Sequence, residues 1–151
     1  MKNLVPLKKN AVRYQIELPN SQFLFVYFNR MPNKVQGFRR WEVGIYIGKS
    51  RKEANNWYNH SGKHDRPTTT GTCGLTGLRK ALDIILEFRN QMKSDEEVTV
   101  WWADEQRKRA YTYLGRHTFI EYVDDNNETV CYGSRNPAYW EWVGDEYRVC
   151  L

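Results

Sequence analysis

No stretch of the 151-residue sequence approaches the roughly 18 to 20 consecutive apolar residues that a membrane-spanning helix needs. After Met1-Lys2-Asn3 comes only a short Leu-Val-Pro-Leu segment, too brief for a signal-peptide core and followed by no small-residue cleavage site. The expectation is a soluble, cytoplasmic protein with no membrane partner. Cysteine is scarce: Cys73, Cys131 and Cys150 are odd in number and form no CxxC pair, which argues against both a disulfide framework and a zinc site. No metal is expected. Repeats and low-complexity tracts are missing, as are a helix-turn-helix, an RNA-binding sheet signature and a zinc finger. No Gly-Lys-Ser/Thr follows a glycine loop, so the Walker pattern is absent.

What the sequence does hold is aromatic and basic. Ten Tyr, six Trp and six Phe bring the aromatic share to 15%, and apolar residues reach 40%, a globular composition despite a mean hydropathy of -0.78. The length suits a single domain, 1–151, with one substantial core. A formal charge of +5 fits nucleic acid, a phosphate-bearing cofactor or plain solubility.

Periodicity orders the elements. Residues 12–18 alternate apolar and polar up to Pro19-Asn20, residues 22–29 (QFLFVYFN) are almost continuously apolar, and residues 39–48 (RRWEVGIYIG) put Trp41, Val43, Ile45 and Ile47 on one face with Glu42 and Tyr46 on the other. These three strands read as an antiparallel meander. A short helix at 50–58 and a long polar loop to Thr72 precede a helix from Gly74 to about Lys93, whose stripe is Leu78, Ala81, Leu82, Ile85, Phe88 and Met92. Residues 98–102 (VTVWW) form a strand that enters a second helix. Asp104 is its N-cap, Ala103, Ala110, Tyr111 and Leu114 its inner stripe, and Arg107, Lys108 and Arg109 its solvent face. Residues 119–123 and 129–132 flank Asp124-Asp125-Asn126-Asn127 as a hairpin, and 139–143 and 147–150 are candidate edge strands. The fold class is α+β: a mixed, mostly antiparallel sheet with helices packed on it.

Two segments carry chemistry. In TTTGTCGLTGLRKALDIIL, Gly71, Gly74 and Gly77 allow positive φ and close approach of backbone to a ligand at the mouth of a helix, whose free N–H groups and dipole suit a pyrophosphate. One helix and one strand later, WWADEQRKRAYTYLGRHTF resembles the region that follows the acetyl-CoA loop in GNAT-type N-acetyltransferases. In that family a strand opens into a helix through a polar residue, here Asp104, and the helix carries a Tyr ahead of a Gly-Phe pair, where this chain has Thr118-Phe119. The resemblance covers about residues 70–123, and the meander and terminal hairpin are compatible with it.

The resemblance implies a single GNAT-like domain of reduced or divergent type. It implies that acetyl-CoA is the cofactor, with its pyrophosphate on the backbone amides of Thr72, Cys73, Gly74, Leu75, Thr76, Gly77 and Leu78, and Asp104 at the same site. It also implies that the acceptor is an amine on a small molecule or protein, and that Tyr113, or in second place Tyr111, protonates the leaving thiolate. A phenol of pKa about 10 can serve as such a donor. The small size and reduced motif also suit an accessory or viral protein that keeps the fold and has lost catalysis.

Other residues weigh less. Glu42 and Glu121 are candidate general bases, though isolated strand carboxylates are more often solvated. His60 and His64 stand four apart, but Ser61-Gly62 breaks the helix between them. His117 reads as a helix C-terminal residue and Cys73 as a small packing residue. The alternative function is a non-catalytic binding protein that contacts nucleic acid or another protein through Arg39, Arg40, Trp41, the RKRAY segment and the Trp140/Trp142 pair. The two tryptophans read more simply as one buried strand face.

Overall fold

The computed structural model describes residues 10–19, 21–60, 74–101 and 111–150. Its meander consists of β1 (Ala11–Glu17), β2 (Phe23–Arg30) and β3 (Arg39–Gly48), paired antiparallel in sequence order. The alternation in β1 buries Val12 and Tyr14 on one side only, whereas β2 is apolar on both sides because both of its faces are covered. Leu24, Val26 and Phe28 enter the main core, and Phe25 and Tyr27 pack on the opposite face.

Two helices lie between β3 and β4 (Glu96–Trp101), one on each face. The first, α1 (Arg51–His60), is capped by Ser50, whose Oγ accepts from Glu53 N–H at 3.2 Å while the Glu53 carboxylate reaches back to Lys49 N–H. It covers the second face through Ala54, with Tyr27 donating to Asn55 Oδ1 at 2.7 Å and Tyr46 to Glu53 Oε1 at 2.5 Å. The second, α2 (Gly74–Arg89), buries Ala81, Leu82, Ile84, Ile85 and Phe88 against the sheet, with Phe88 stacked on Phe28 at 3.8 Å and edge-on to Trp41 at 5.1 Å. Met92 joins the same core but lies beyond the helix, which stops at Arg89.

β4 pairs in parallel with β3 and antiparallel with β6 (Thr129–Arg135), which also pairs with β5 (Ile120–Val123). The six-stranded order is β1-β2-β3-β4-β6-β5. The sheet is thus mixed and mostly antiparallel, as the sequence pattern predicts. Asp124 builds the β5–β6 turn by accepting from Asn126 and Glu128 N–H at 2.9 and 3.0 Å, and Asn127 takes a φ of 62°.

The end of the chain departs from the expectation. β7 (Trp140–Val143) and β8 (Glu146–Val149) do not extend the main sheet but form a separate two-stranded ribbon, turned at Gly144, whose φ is 68°. Asn136 ties the ribbon's base to the core by donating to Met92 O at 2.7 Å. Trp140 and Trp142 do not line a buried face: Trp142 is 41% exposed and Trp140 is half-buried. No helix among the described residues is long and apolar enough to cross a membrane.

Candidate functional site

The parallel β3–β4 ladder is short. It runs from Arg39↔Glu96 to Glu42↔Thr99, after which, among the described residues, β3 continues through 43–48 paired with β2 and β4 through 100–101 paired with β6. Past Glu42 and Thr99 the facing edges of two neighbouring strands are therefore left without each other. Backbone N–H and C=O groups are obligatory hydrogen-bonding groups, so such an opening suits a ligand with amides of its own.

The first turn of α2 lies at this opened end. Gly77 packs against the end of β3, and a Cβ there would stand 2.7 Å from Ile47 Cδ1 and 3.2 Å from Leu18 Cδ1. The absent side chain thus serves close helix-to-sheet packing. Gly77 sits inside the helix rather than in a positive-φ loop, which corrects the loop-glycine reading. Gly74 opens α2 and Leu75 follows it, Thr76 is exposed, and Leu78 is half-buried against the main core. Thr72, Cys73 and Asp104 lie outside the described residues, as do the basic stretch 107–109 and His64.

The two candidate tyrosines separate. A helical segment at 111–115 places Tyr111 in the core at 2% exposure, with Leu114 fully buried, whereas Tyr113 is half-buried and faces α2. Residues two apart on a helix differ by about 200° in direction, so only one of the pair can look inward. The Arg79 guanidinium of α2 lies over the Tyr113 ring at 4.8 Å, and the His117 ring centroid is also 4.8 Å from it. Tyr111 is a packing residue; Tyr113 is the one beside α2.

The segment ends on a left-handed residue. Thr118 has a φ of 69°, with Phe119 N–H bonded to Leu114 O at 3.2 Å and Phe119 buried. Glycine adopts this conformation without penalty and a β-branched residue does not, so Thr118 occupies a position built for glycine. Arg89, at the end of α2, fixes this turn by donating to Thr118 Oγ1 at 3.0 Å and to the His117 carbonyl, and desolvation lowers its pKa below the ordinary guanidinium value.

The remaining sequence candidates disperse. Glu121 accepts from Thr129 Oγ1 at 3.3 Å and Tyr132 OH at 3.5 Å within the hairpin, and Glu42 lies on β3 near Cys131. His60 ends α1, and among the described residues no cluster of three His, Cys, Asp or Glu could hold a metal. Trp41 is wholly buried and donates to Glu96 Oε2 at 2.9 Å, so it cannot stack on a base. Arg39 donates to the Pro32 carbonyl at 2.6 Å and Arg40 pairs with Glu97 at 2.7 Å.

A second constellation is invisible to motif reasoning. On the α1 side of the sheet, Arg40 holds Glu97 Oε1 through Nε at 2.8 Å and Nη2 at 2.7 Å, while Tyr122 OH donates to Oε2 at 2.9 Å. Burial first, then the Glu97 charge, raises the Tyr122 pKa well above 10.0. The signal in the sequence is the pair Glu96-Glu97 at the head of an apolar strand, in parallel register with Arg39-Arg40. Comparison with protein-family models, with curated proteins and with solved structures finds no match for this chain.

Proposed function

We propose that the protein is a GNAT-like acetyl-CoA-binding N-acetyltransferase, with the coenzyme lying at the start of α2 and along the opened β3–β4 edge. The observation that carries this reading is the ladder that stops at Glu42 and Thr99 while both strands run on, beside the first turn of α2 and with Tyr113 facing that helix. A strand before the glycine helix, a strand after it, a groove where they part and a tyrosine at its side make up the arrangement the resemblance implies. Thr118 adds support, since its left-handed φ of 69° falls where the family pattern has glycine.

The residues fit the coenzyme in two respects. The first-turn N–H groups of α2, including that of Thr76, have no partner within the helix and can receive a pyrophosphate. Beyond Glu42, where the ladder to β4 has ended, β3 can present backbone to the amides of the pantetheine arm. That strand lies further upstream than the sequence suggests, because α1 intervenes. Bound acetyl-CoA supplies the thioester acetyl group that the acceptor amine attacks. The role of Tyr113 is to give its phenolic proton to the departing thiolate as the carbon–sulfur bond breaks, and to regain a proton from the amine through solvent.

Isothermal titration of the folded protein with acetyl-CoA tests the reading. Saturable binding is expected. Absence of heat at high micromolar coenzyme removes the acetyltransferase reading and leaves a non-catalytic binding protein on the same fold.

A further inference from the structure

A cavity of about 350 Å³ lies where the β7–β8 ribbon meets the main sheet, with Arg40, Glu97, Tyr122, Arg135, Trp142 and Tyr147 in its wall. It is remote from the start of α2. The parallel strands β3 and β4 begin at this end and run toward the other, and α2, whose 16 residues span about 24 Å, returns against them. The cavity is therefore separate from the proposed coenzyme site.

Its charges do not balance. Glu97 is paired with Arg40 and accepts from Tyr122, so one carboxylate and one guanidinium cancel. Arg135, directly opposite Glu97 in the β4–β6 register, makes no ion pair among the described residues. The other acidic residue at the rim, Glu121, bonds Tyr132, which belongs to the α2 side, so its carboxylate faces away from the cavity.

The Arg135 guanidinium instead lies among aromatic rings, with its carbon 3.7 Å from the Phe38 centroid, 4.4 Å from Tyr147 and 4.7 Å from Trp140. Rings stabilise the flat faces of a guanidinium, but its five N–H donors point outward in the plane and need oxygen acceptors. Arg135 Nε is screened from solvent and has no acceptor among the described residues. The aromatic setting holds a planar fork of donors at the cavity wall, with its Nε donor unfilled among the described residues. Carboxylates and phosphates match that fork. Trp142, edge-on to Tyr147 at 4.9 Å and 41% exposed, adds an aromatic wall for the ligand's body.

We propose that this cavity is a second binding site, for a small oxyanion, carboxylate or phosphate, carried on a flat apolar body, with Arg135 as its anchor. Benzoate and phenyl phosphate are the probes, benzamide the uncharged control, and tryptophan fluorescence of the full chain the readout. Saturable quenching by at least one anion is expected, with benzamide at least about ten-fold weaker, the loss of one charge-assisted contact. The stronger of the two anions tells carboxylate from phosphate. Arg135→Lys keeps the charge and loses the fork, so the better anion should bind about ten-fold more weakly to it. Should that variant fail to fold by circular dichroism, Trp142→Ala, on the exposed rim, is expected to weaken the same anion several-fold. Equal affinity for anion and benzamide overturns the proposal, as does unchanged anion affinity in a folded Arg135→Lys or in Trp142→Ala.

Discussion

Replacing Glu97 by Ala tests the buried ion pair that links β3, β4 and β5. The Glu97 side chain is 5% exposed and accepts from Arg40 and from Tyr122, so its loss leaves a guanidinium and a phenol without their acceptor. Breaking one side of a buried pair costs about 3–5 kcal/mol. The Arg40 side chain keeps 24% of its surface, so water can take up part of the released charge, which places the expected loss at the lower end, about 3 kcal/mol. For a chain of this length that corresponds to a fall in Tm of about 6–12 °C. Glu97→Gln retains the shape and one acceptor oxygen and should lose about 1–2 kcal/mol. The double variant Arg40→Met with Glu97→Leu removes both charges and should return to within about 1 kcal/mol of the parent, because an apolar replacement no longer strands a charge. Urea unfolding followed by tryptophan fluorescence gives all four stabilities. A Glu97→Ala loss below about 0.5 kcal/mol, or a double variant no more stable than the single, refutes the reasoning.

Gly133 lies beneath the Tyr122 ring, where an added Cβ would approach Cζ to 2.5 Å. Gly133→Ala should therefore cost about 1–3 kcal/mol in a denaturant titration, and Tyr122→Leu in the same chain should recover part of it. Burial pushes the Cys131 thiol up to about 12 and leaves it 1% exposed, whereas Cys150 is exposed. At pH 8 a thiol reagent should label Cys150 in the folded protein and reach Cys131 only in denaturant, as peptide mass spectrometry would show. Cys131, Tyr122 and Tyr147 all have folded pKa values above their ordinary 9.0, 10.0 and 10.0. The fold holds these protons after the unfolded chain has released them, so their contribution is complete below pH 9.0 and falls away as pH rises through 9.0 to about 12. A unfolding free energy that stays flat over that alkaline range contradicts the assignment. Tyr113→Phe should lower acetyl transfer at least about ten-fold while acetyl-CoA affinity holds, and parallel loss of affinity would instead make Tyr113 a packing residue.

Local periodicity made much of the fold legible. The alternation of β1, the continuous apolarity of β2, the one apolar face of β3, the stripe from Leu78 to Phe88 and the Asp124 turn each concern neighbours along the chain, and each element lies near its expected place. The candidate site was legible only as a resemblance. Sequence named Tyr111 and Tyr113 together, and the direction each takes from the helical segment separated a core residue from one facing α2. Gly77 was visible as a glycine, but its use, clearance for Ile47 and Leu18, depends on a strand and a loop from elsewhere in the chain.

What the sequence by itself determined is the set of elements and the residues that share a face, because φ/ψ periodicity and side-chain apolarity are short-range properties. Tertiary structure alone decided where the β3–β4 ladder stops, which side of the sheet each helix covers, and that β7 and β8 leave the main sheet. It also decided that Arg40 neutralises Glu97 while Arg135 is left among Phe38, Trp140 and Tyr147. Charge balance and cavity shape arise from groups far apart in the chain, and no local pattern records which of the two arginines will meet Glu97.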